Sequence, residues 1–136
     1  MPTEESTEQS IEEISVSLPT SMTGAEARVR SALEAEGFGV ITEIDVSGIL
    51  RAKLGVERPA LKILGACDPA VANRALEADP SVSLLLPCNV VLSDQGGSVR
   101  VSAAEPSALL PGPALAGISA EVSSRLRRAF ESLAGD

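Results

Sequence analysis

Two cysteines are the residues of this sequence whose chemistry packing alone does not explain. Cys67 stands directly before Asp68–Pro69, a pair that is typical of a helix start. Unpaired amides and the dipole at a helix N-terminus stabilise a thiolate, so Cys67 could act as a nucleophile or a redox group. Asp68 competes for the same amides, and its charge opposes thiolate formation. The alternative is that Cys67 is a small apolar residue packed at a strand end.

The second cysteine, Cys88, lies between Pro87 and Asn89 in a strongly strand-like segment. Proline cannot donate a hydrogen bond to a neighbouring strand, so we expect a sheet edge or an irregularity at this point. Irregular strand positions often turn a side chain toward a site. Cys88 and Asn89 are therefore candidate site residues, with buried packing as the competing interpretation for the cysteine.

Charged side chains that could move protons or bind an ion occur in two further segments. Glu43 and Asp45 share one face of a predicted half-buried strand, with Cβ atoms about 7 Å apart, and Val40 and Ile44 are predicted to lie on its other, core-facing side. Paired carboxylates can act as general acid and base or bind a hard metal, although acidic residues on a solvated strand are common. Lys53 and Lys62 are the only lysines among eleven basic residues, which suggests a need for a compact ammonium group. A salt bridge to Glu43 or Asp45 is the simpler explanation.

The composition excludes several classes of function. The chain has no His, so a Cys–His pair is impossible, and the motifs GxGxxG, GxxxxGK[ST], GxSxG and HExxH are missing. Two cysteines without histidine are too few for a four-ligand zinc site within one chain. The net charge of −8 and the lack of Tyr and Trp oppose binding to nucleic acid. No cofactor is specified by the sequence.

The length of 136 residues suits one hydrophobic core. Residues 1–10 hold a single apolar side chain and three glutamates, which predicts a disordered acidic tail before one domain over residues 11–136. No run approaches the roughly 18 to 20 apolar residues that span a bilayer, and the first residues do not form a secretory signal. We therefore expect a cytoplasmic protein without a membrane partner.

The elements that must position the candidate residues alternate between strands and helices. Periodicity and capping signals predict the order β, α, β, short α, β, α, β, β, α. The strands are predicted over Ile14 to Leu18, Phe38 to Val46, Ala60 to Ala66, Val82 to Leu92, and through Val99 and Val101. The helices are predicted to start at a capping box of Thr23 and Glu26, at Ser47, at Asp68–Pro69, and after a connector over residues 106–113.

This order matches a split βαββαβ pattern followed by a hairpin and a helix. It predicts an α+β two-layer sandwich with helices on one face of a mainly antiparallel sheet. The first strand then separates the strands of Cys67 and Cys88, whose backbones lie about 10 Å apart, so both thiols stay free. The bare sheet face would be a large apolar patch, for which a homodimer is the simplest cover. The closing helix is predicted to bury one apolar stripe and to hold Arg125, Arg127 and Arg128 on its solvent side. The stripe consists of Ile118, Val122, Leu126, Phe130 and Leu133.

The segments that carry these residues resemble those of a known family. They are Glu36 to Val46, Lys53 to Val56, Lys62 to Pro69, Ala75 to Pro80 and Leu84 to Val90, in this order. Over roughly residues 11–135 the sequence resembles the domain-of-unknown-function 302 family (DUF302) of small bacterial and archaeal proteins. The resemblance implies a compact α+β fold and a dimer, but no settled reaction. Family members usually have Asn at the position of Asp68, and often Tyr where this chain has Ala60 or Leu61.

Three functions stay open on this sequence. The first is a dimeric module that binds a small polar ligand or a soft metal in one pocket, through Glu43, Asp45, Lys53, Lys62, Cys67, Cys88 and Asn89. The second is an enzyme or thiol-redox protein with Cys67 as its reactive group and Lys53 or Glu43 handling protons. The third is an assembly module without a ligand. We favour the first over the third, and the enzyme least. A site requires residues 65–69 and 86–89 to converge on one hollow.

Overall fold

The computed structural model describes residues 11–110 and 112–135, so the predicted acidic tail over residues 1–10 lies outside the described residues. One sheet and several helices make up this part of the chain. In chain order the elements are β1 (Glu13–Leu18), α1 (Met22–Ala35), β2 (Gly39–Asp45), α2 (Val46–Leu54), β3 (Leu61–Cys67), α3 (Pro69–Ala78), a 3₁₀ helix (Pro80–Leu85), β4 (Cys88–Asp94), β5 (Val99–Ala104), α4 (Pro106–Leu109) and α5 (Pro113–Ala134).

The five strands form one sheet in the order β1–β5–β4–β3–β2, and every neighbouring pair is antiparallel. The predicted α+β sandwich with an antiparallel sheet is confirmed. The predicted position of the first strand is wrong, because β1 is an edge strand beside β5 and β3 pairs directly with β4. Consecutive strands usually lie side by side, and the segment with α3 and the 3₁₀ helix returns the chain to the position next to β3.

Helices α1 and α5 cover one face of the sheet and enclose the main core. Leu64, Val90 and Val101 of the central strands lie in this core and are fully buried. The buried side chains of α5 are Leu115, Ser119, Val122, Leu126, Ala129, Phe130 and Leu133. The apolar stripe predicted for the closing helix is confirmed, with Ile118 partly buried against the same core. None of the helices in the described part of the chain is long and apolar enough to cross a membrane.

The opposite side of the sheet, here called the open face, carries exposed or half-buried side chains. Residues alternate between the two faces along a strand, so the open face holds the neighbours of the core residues. Its members include Ser15, Thr42, Ile44, Ile63, Asn89, Val91, Arg100 and Ser102. This face is therefore a mixed surface of small polar and aliphatic groups.

An irregularity in β2 changes the predicted faces of that strand. The register shifts between Val40 and Thr42, so that Val40 pairs with Ala66 and Glu43 pairs with Leu64. Val40 and Glu43 thus lie on the helix-covered side, and Ile44 is 45% exposed on the other. The prediction that Ile44 faces the core is wrong, because one extra residue reverses the alternation beyond it.

Two helix starts differ from the predictions because an earlier side chain caps the helix. Ser21, not Thr23, caps α1, and its hydroxyl accepts a hydrogen bond from the Gly24 amide at 3.1 Å. Asp45, not Ser47, caps α2. The hydroxyl of Ser47 instead accepts from the backbone amide at the start of β3, at 3.1 Å.

Two predicted segments also have different conformations. Residues 80–85 form the 3₁₀ helix, so the strand predicted from Val82 begins only at Cys88. A short apolar run fits a buried helical turn as well as a strand, so periodicity could not separate the two. The predicted connector over residues 106–113 contains α4, which Glu105 caps.

Candidate functional site

A cleft of about 590 Å³ opens at the end of the sheet where β3 finishes and β4 begins. Ala66 and Cys67 of β3 and Cys88 and Asn89 of β4 form its sheet side. The surrounding walls come from β1, α3, the 3₁₀ helix, the residues around α4, and α5, and their side chains include Ile11, Val71, Ala75, Val82, Leu84, Leu85, Leu86, Leu109, Leu110, Ile118 and Val122. The volume is within the range of small-molecule sites, and the lining is mainly aliphatic.

Both cysteines line this cleft, and both thiols are free as predicted. They are closer in the fold than expected, since Cys88 pairs with Ala66, the residue before Cys67. Strand alternation directs neighbouring side chains to opposite faces, so the two Cβ vectors diverge, which disfavours a disulfide. Cys88 packs against the main core. Burial and the neighbouring Cys67 raise the pKa of the Cys88 thiol, which keeps it protonated at neutral pH.

The predicted helix cap after Cys67 is present and occupies the amides that could have stabilised a thiolate. One oxygen of Asp68 accepts hydrogen bonds from the amides of Ala70 at 3.0 Å and Val71 at 3.3 Å. The other oxygen accepts from Arg125 at 2.6 Å. The Arg125 guanidinium and these amides hold the pKa of Asp68 below its usual range. The anion stabilised at this helix start is therefore the Asp68 carboxylate.

Arg125 is the α5 side chain beside the cleft residues Phe38 and Asp68 that sequence reasoning missed. It was predicted to face solvent with Arg127 and Arg128, but its side chain is only 15% exposed. It donates to the Glu36 carbonyl from Nε at 2.9 Å and also from Nη2. Its guanidinium carbon lies 4.9 Å from the centre of the Phe38 ring, within the range of a cation–π contact. This one residue ties α5 to the corners that follow α1 and β3.

A glycine makes room for that arginine. Gly37 has φ +90°, and a Cβ atom there would collide with Nη2 of Arg125. Positive φ and a close approach are two reasons to place glycine at this position. Gly37 next to one of only two phenylalanines was the available sequence signal, but nothing in it named Arg125 as the partner.

The charged candidates from the sequence lie away from the cleft. Lys62 contacts Glu26 of α1 at 2.8 Å and Glu43 at 3.4 Å, so the salt-bridge explanation for this lysine is confirmed. The bond from Lys62 lowers the pKa of Glu26, and Glu26 in turn raises the pKa of Lys62. Asp45 caps α2, and the bond from the Gly48 amide lowers its pKa.

The single pocket expected from the sequence is therefore not formed as predicted. Lys53 is exposed in the last turn of α2. Like Glu43, Asp45 and Lys62, this lysine does not line the cleft. These four residues belong to the other end of β2 and β3 and to the helix between these strands. The candidates that the structure does bring together in the cleft are Cys67, Cys88 and Asn89.

The cleft offers few side chains that could ligate a metal ion. Within residues 11–110 and 112–135, no three or more His, Cys, Asp or Glu side chains are grouped so that they could hold a metal ion. A soft metal at the two thiols would need further ligands from a second molecule. The residues of the cleft fit an organic ligand better than an ion.

Comparisons with known proteins add a family but no reaction. The family model described as Domain of unknown function DUF302 matches residues 14–133. The crystal structure of an uncharacterized conserved protein DUF302 from Bacillus stearothermophilus has a similar fold, with a TM-score of 0.82 and 28% sequence identity over 90% of this chain and 98% of that chain. No curated protein matches the sequence.

Proposed function

This chain belongs to the DUF302 family, and we propose that it is a binding module whose cleft holds one small, mainly apolar molecule. The observation that carries the proposal is the cleft of about 590 Å³, which is lined mainly by aliphatic side chains from both layers of the fold. Apolar walls stabilise a bound ligand by about 25 cal/mol for each Å² of hydrocarbon surface that is buried against them. They favour an apolar molecule over the polar ligand expected from the sequence.

The polar groups of the cleft provide orientation for such a ligand. Asn89 is exposed in the cleft, and its side-chain amide can both donate and accept a hydrogen bond. The thiol of Cys67 lies on the same side of the cleft and is partly exposed. Few polar groups among aliphatic walls are the usual composition of a small-molecule site. A ligand with one hydroxyl, carbonyl or amide group at its end would match this arrangement.

A thiol enzyme has less support than a binding module. The amides in the first turn of α3 are bonded to Asp68 rather than to Cys67. Burial raises the pKa of Cys88, which lowers its thiolate fraction and its reactivity. An assembly module without a ligand is the stronger alternative, and it predicts a cleft that binds nothing.

Filling the cleft should abolish binding of an apolar probe. Ala72 of α3 lines the cleft and is partly exposed, so Ala72→Phe adds a ring there without disturbing the main core. We expect the neutral dye Nile red to bind the unaltered protein and to bind Ala72→Phe at least tenfold more weakly. Dye fluorescence measures this directly, because Nile red emits more strongly in apolar surroundings than in water.

The matched control for that variant is Asn73→Phe. Asn73 is the next residue of the same helix, is exposed, and does not line the cleft. We expect its dye affinity to stay within twofold of the unaltered protein. Equal affinities for both variants, or no dye binding by the unaltered protein, would contradict the proposal and favour the assembly module.

We further propose that a second copy of the chain covers the β2–β3 part of the open face, beside the part that lines the cleft. Ile44 is 45% exposed there, and Ile63 is half-buried beside it. The charges at one edge of this face, Glu13 and Arg100, pair with each other at 2.6 Å. A copy of this acidic protein can thus approach the open face with little charge repulsion, and burial of the aliphatic groups favours the contact.

A charge in the open face should separate the two copies. Sedimentation velocity is expected to give a dimer for the unaltered protein and a monomer for Ile44→Glu, since a symmetric contact brings two added carboxylates together. Ile49→Glu is the control, because Ile49 is 48% exposed on α2 rather than on the sheet. A monomeric unaltered protein, or a dimer that Ile44→Glu leaves intact, would reject this interface.

A further inference from the structure

We propose that the cleft selects an uncharged ligand and excludes anions such as carboxylates and phosphates. This inference rests on the proposed small-molecule function and adds the class of ligand. Of the described residues that line the cleft, none is Lys or Arg, and the ionisable acids are Glu13 and Asp68. An anion in this cleft would therefore meet negative side chains and aliphatic walls.

The two arginines nearest to these acids are already bound. Arg125 is shared between Asp68 and the Glu36 carbonyl, and it packs over the Phe38 ring. Arg100 pairs with Glu13 at 2.6 Å. An entering anion would have to break one of these pairs or remain without a counter-charge. Burial of an unpaired charge is strongly unfavourable, so an anionic ligand loses affinity in either case.

The remaining polar groups of the cleft suit a neutral partner. Asn89 carries no charge, and the buried Cys88 is a neutral thiol at pH 7 because burial raises its pKa. The field of the whole protein has the same sign as the two acids, since the net charge of the chain is −8. Such a field lowers the local concentration of anions and raises that of cations. The expected order of affinity is neutral first, cationic second and anionic last.

Three ligands with one chain length separate charge from apolar surface. We expect 1-decanol to displace Nile red from the unaltered protein at pH 8 with an affinity at least tenfold higher than decanoate, and decylammonium to lie between them. The three molecules share an unbranched ten-carbon skeleton, and the one alkyl carbon fewer in decanoate accounts for only about a fourfold difference, so a tenfold difference reports the charge of the head group. Decanoate binding as tightly as decanol would overturn the charge selectivity while leaving the small-molecule function intact. Failure of Nile red and all three molecules to bind would overturn both.

A designed cation in the cleft provides the second test. Ser102 lines the cleft and is half-buried, so Ser102→Lys places an ammonium group where the native lining has none. We expect this variant to bind decanoate at least tenfold more tightly than the unaltered protein does. Ser15→Lys is the control, because Ser15 pairs with Ser102 across β1 and β5 but does not line the cleft. An equal gain in both variants would mean that net charge, not the cleft, controls anion binding, and would overturn the inference.

Discussion

Replacing Arg125 with alanine is expected to lower the free energy of unfolding by about 3 kcal/mol, because removing one member of a largely buried ion pair leaves its partner without a counter-charge. Asp68 is 17% exposed in its side chain and would lose its bond of 2.6 Å to the guanidinium. The Glu36 carbonyl would lose its donor, and the Phe38 ring would lose the cation above it. Urea unfolding followed by far-ultraviolet circular dichroism measures the change.

Two other variants test whether position or charge causes that loss. Arg128 lies three residues later on α5, is 55% exposed, and contacts Glu36 at 3.0 Å, so Arg128→Ala should cost less than about 1 kcal/mol. Arg125→Lys keeps a positive charge but loses the planar fork that binds two acceptors, and we expect an intermediate cost. Equal costs for Arg125→Ala and Arg128→Ala would contradict the central position assigned to Arg125.

The Arg125 contacts also connect stability to the cleft. Phe38 and Asp68 line the cleft, and both are held by this arginine from the α5 side. Loss of the guanidinium frees the start of α3, which carries another wall of the cleft. Arg125→Ala is therefore expected to weaken Nile red binding as well as folding, whereas Arg128→Ala leaves dye affinity unchanged.

Sequence reasoning succeeded where the cause was local. The cap at Asp68 depends on a side chain and the amides two and three residues later, and it is present. The apolar stripe of α5 depends on a spacing within one helix, and it is buried. The α+β class follows from the count and order of such elements, which explains why it could be predicted without knowledge of any contact between them.

The errors arose where the structure depends on contacts between distant segments. Period-two patterns identify strands but not their neighbours, so nothing in the sequence placed β1 next to β5 rather than beside β3. One extra residue near Ile41 reversed the faces of β2, and such an irregularity has no fixed sequence signature here. Arg125 occupies a polar position of a helix, where the pattern predicts solvent. Its burial depends on Glu36 and Asp68, which are 89 and 57 residues away in the chain.

The candidate site shows the same contrast between features with local causes, which were predicted, and features that depend on distant contacts, which were not. Cys67, Cys88 and Asn89 were candidate site residues on local signals, namely a helix start and a proline, and they line one cleft. The aliphatic walls from the 3₁₀ helix, α4 and α5 were not predicted, because their convergence is a tertiary property. Those walls change the expected ligand from polar to apolar. The sequence therefore predicted that these three residues come together, but not the apolar character of the walls around them.

Acid is expected to destabilise the protein through Glu105, the buried carboxylate that caps α4. Glu105 is 5% exposed and contacts Arg127 and Ser107. Burial alone would raise its pKa, but hydrogen bonds from Ser107, Ser123 and Arg127 outweigh burial and lower the pKa from 4.5 to about 2. A carboxyl group with a lowered pKa in the folded state stabilises that state above its unfolded pKa. This stabilisation is lost as the pH falls from about 5 through 2.

A lowered pKa of this size corresponds to about 3 kcal/mol of stability at neutral pH, and Glu105→Gln should remove most of it. Because other carboxylates also titrate in acid, the informative quantity is the difference in unfolding free energy between the unaltered protein and the variant. We expect this difference to be largest at pH 7 and to shrink toward zero near pH 2, whereas Glu77→Gln, at an exposed position of α3, gives a small difference throughout. A difference for Glu105→Gln that stays constant between pH 7 and pH 2 would mean that the charge of Glu105 does not stabilise the fold. Since Pro106 and Leu109 of α4 line the cleft, the same titration should weaken Nile red binding below pH 4 in the unaltered protein.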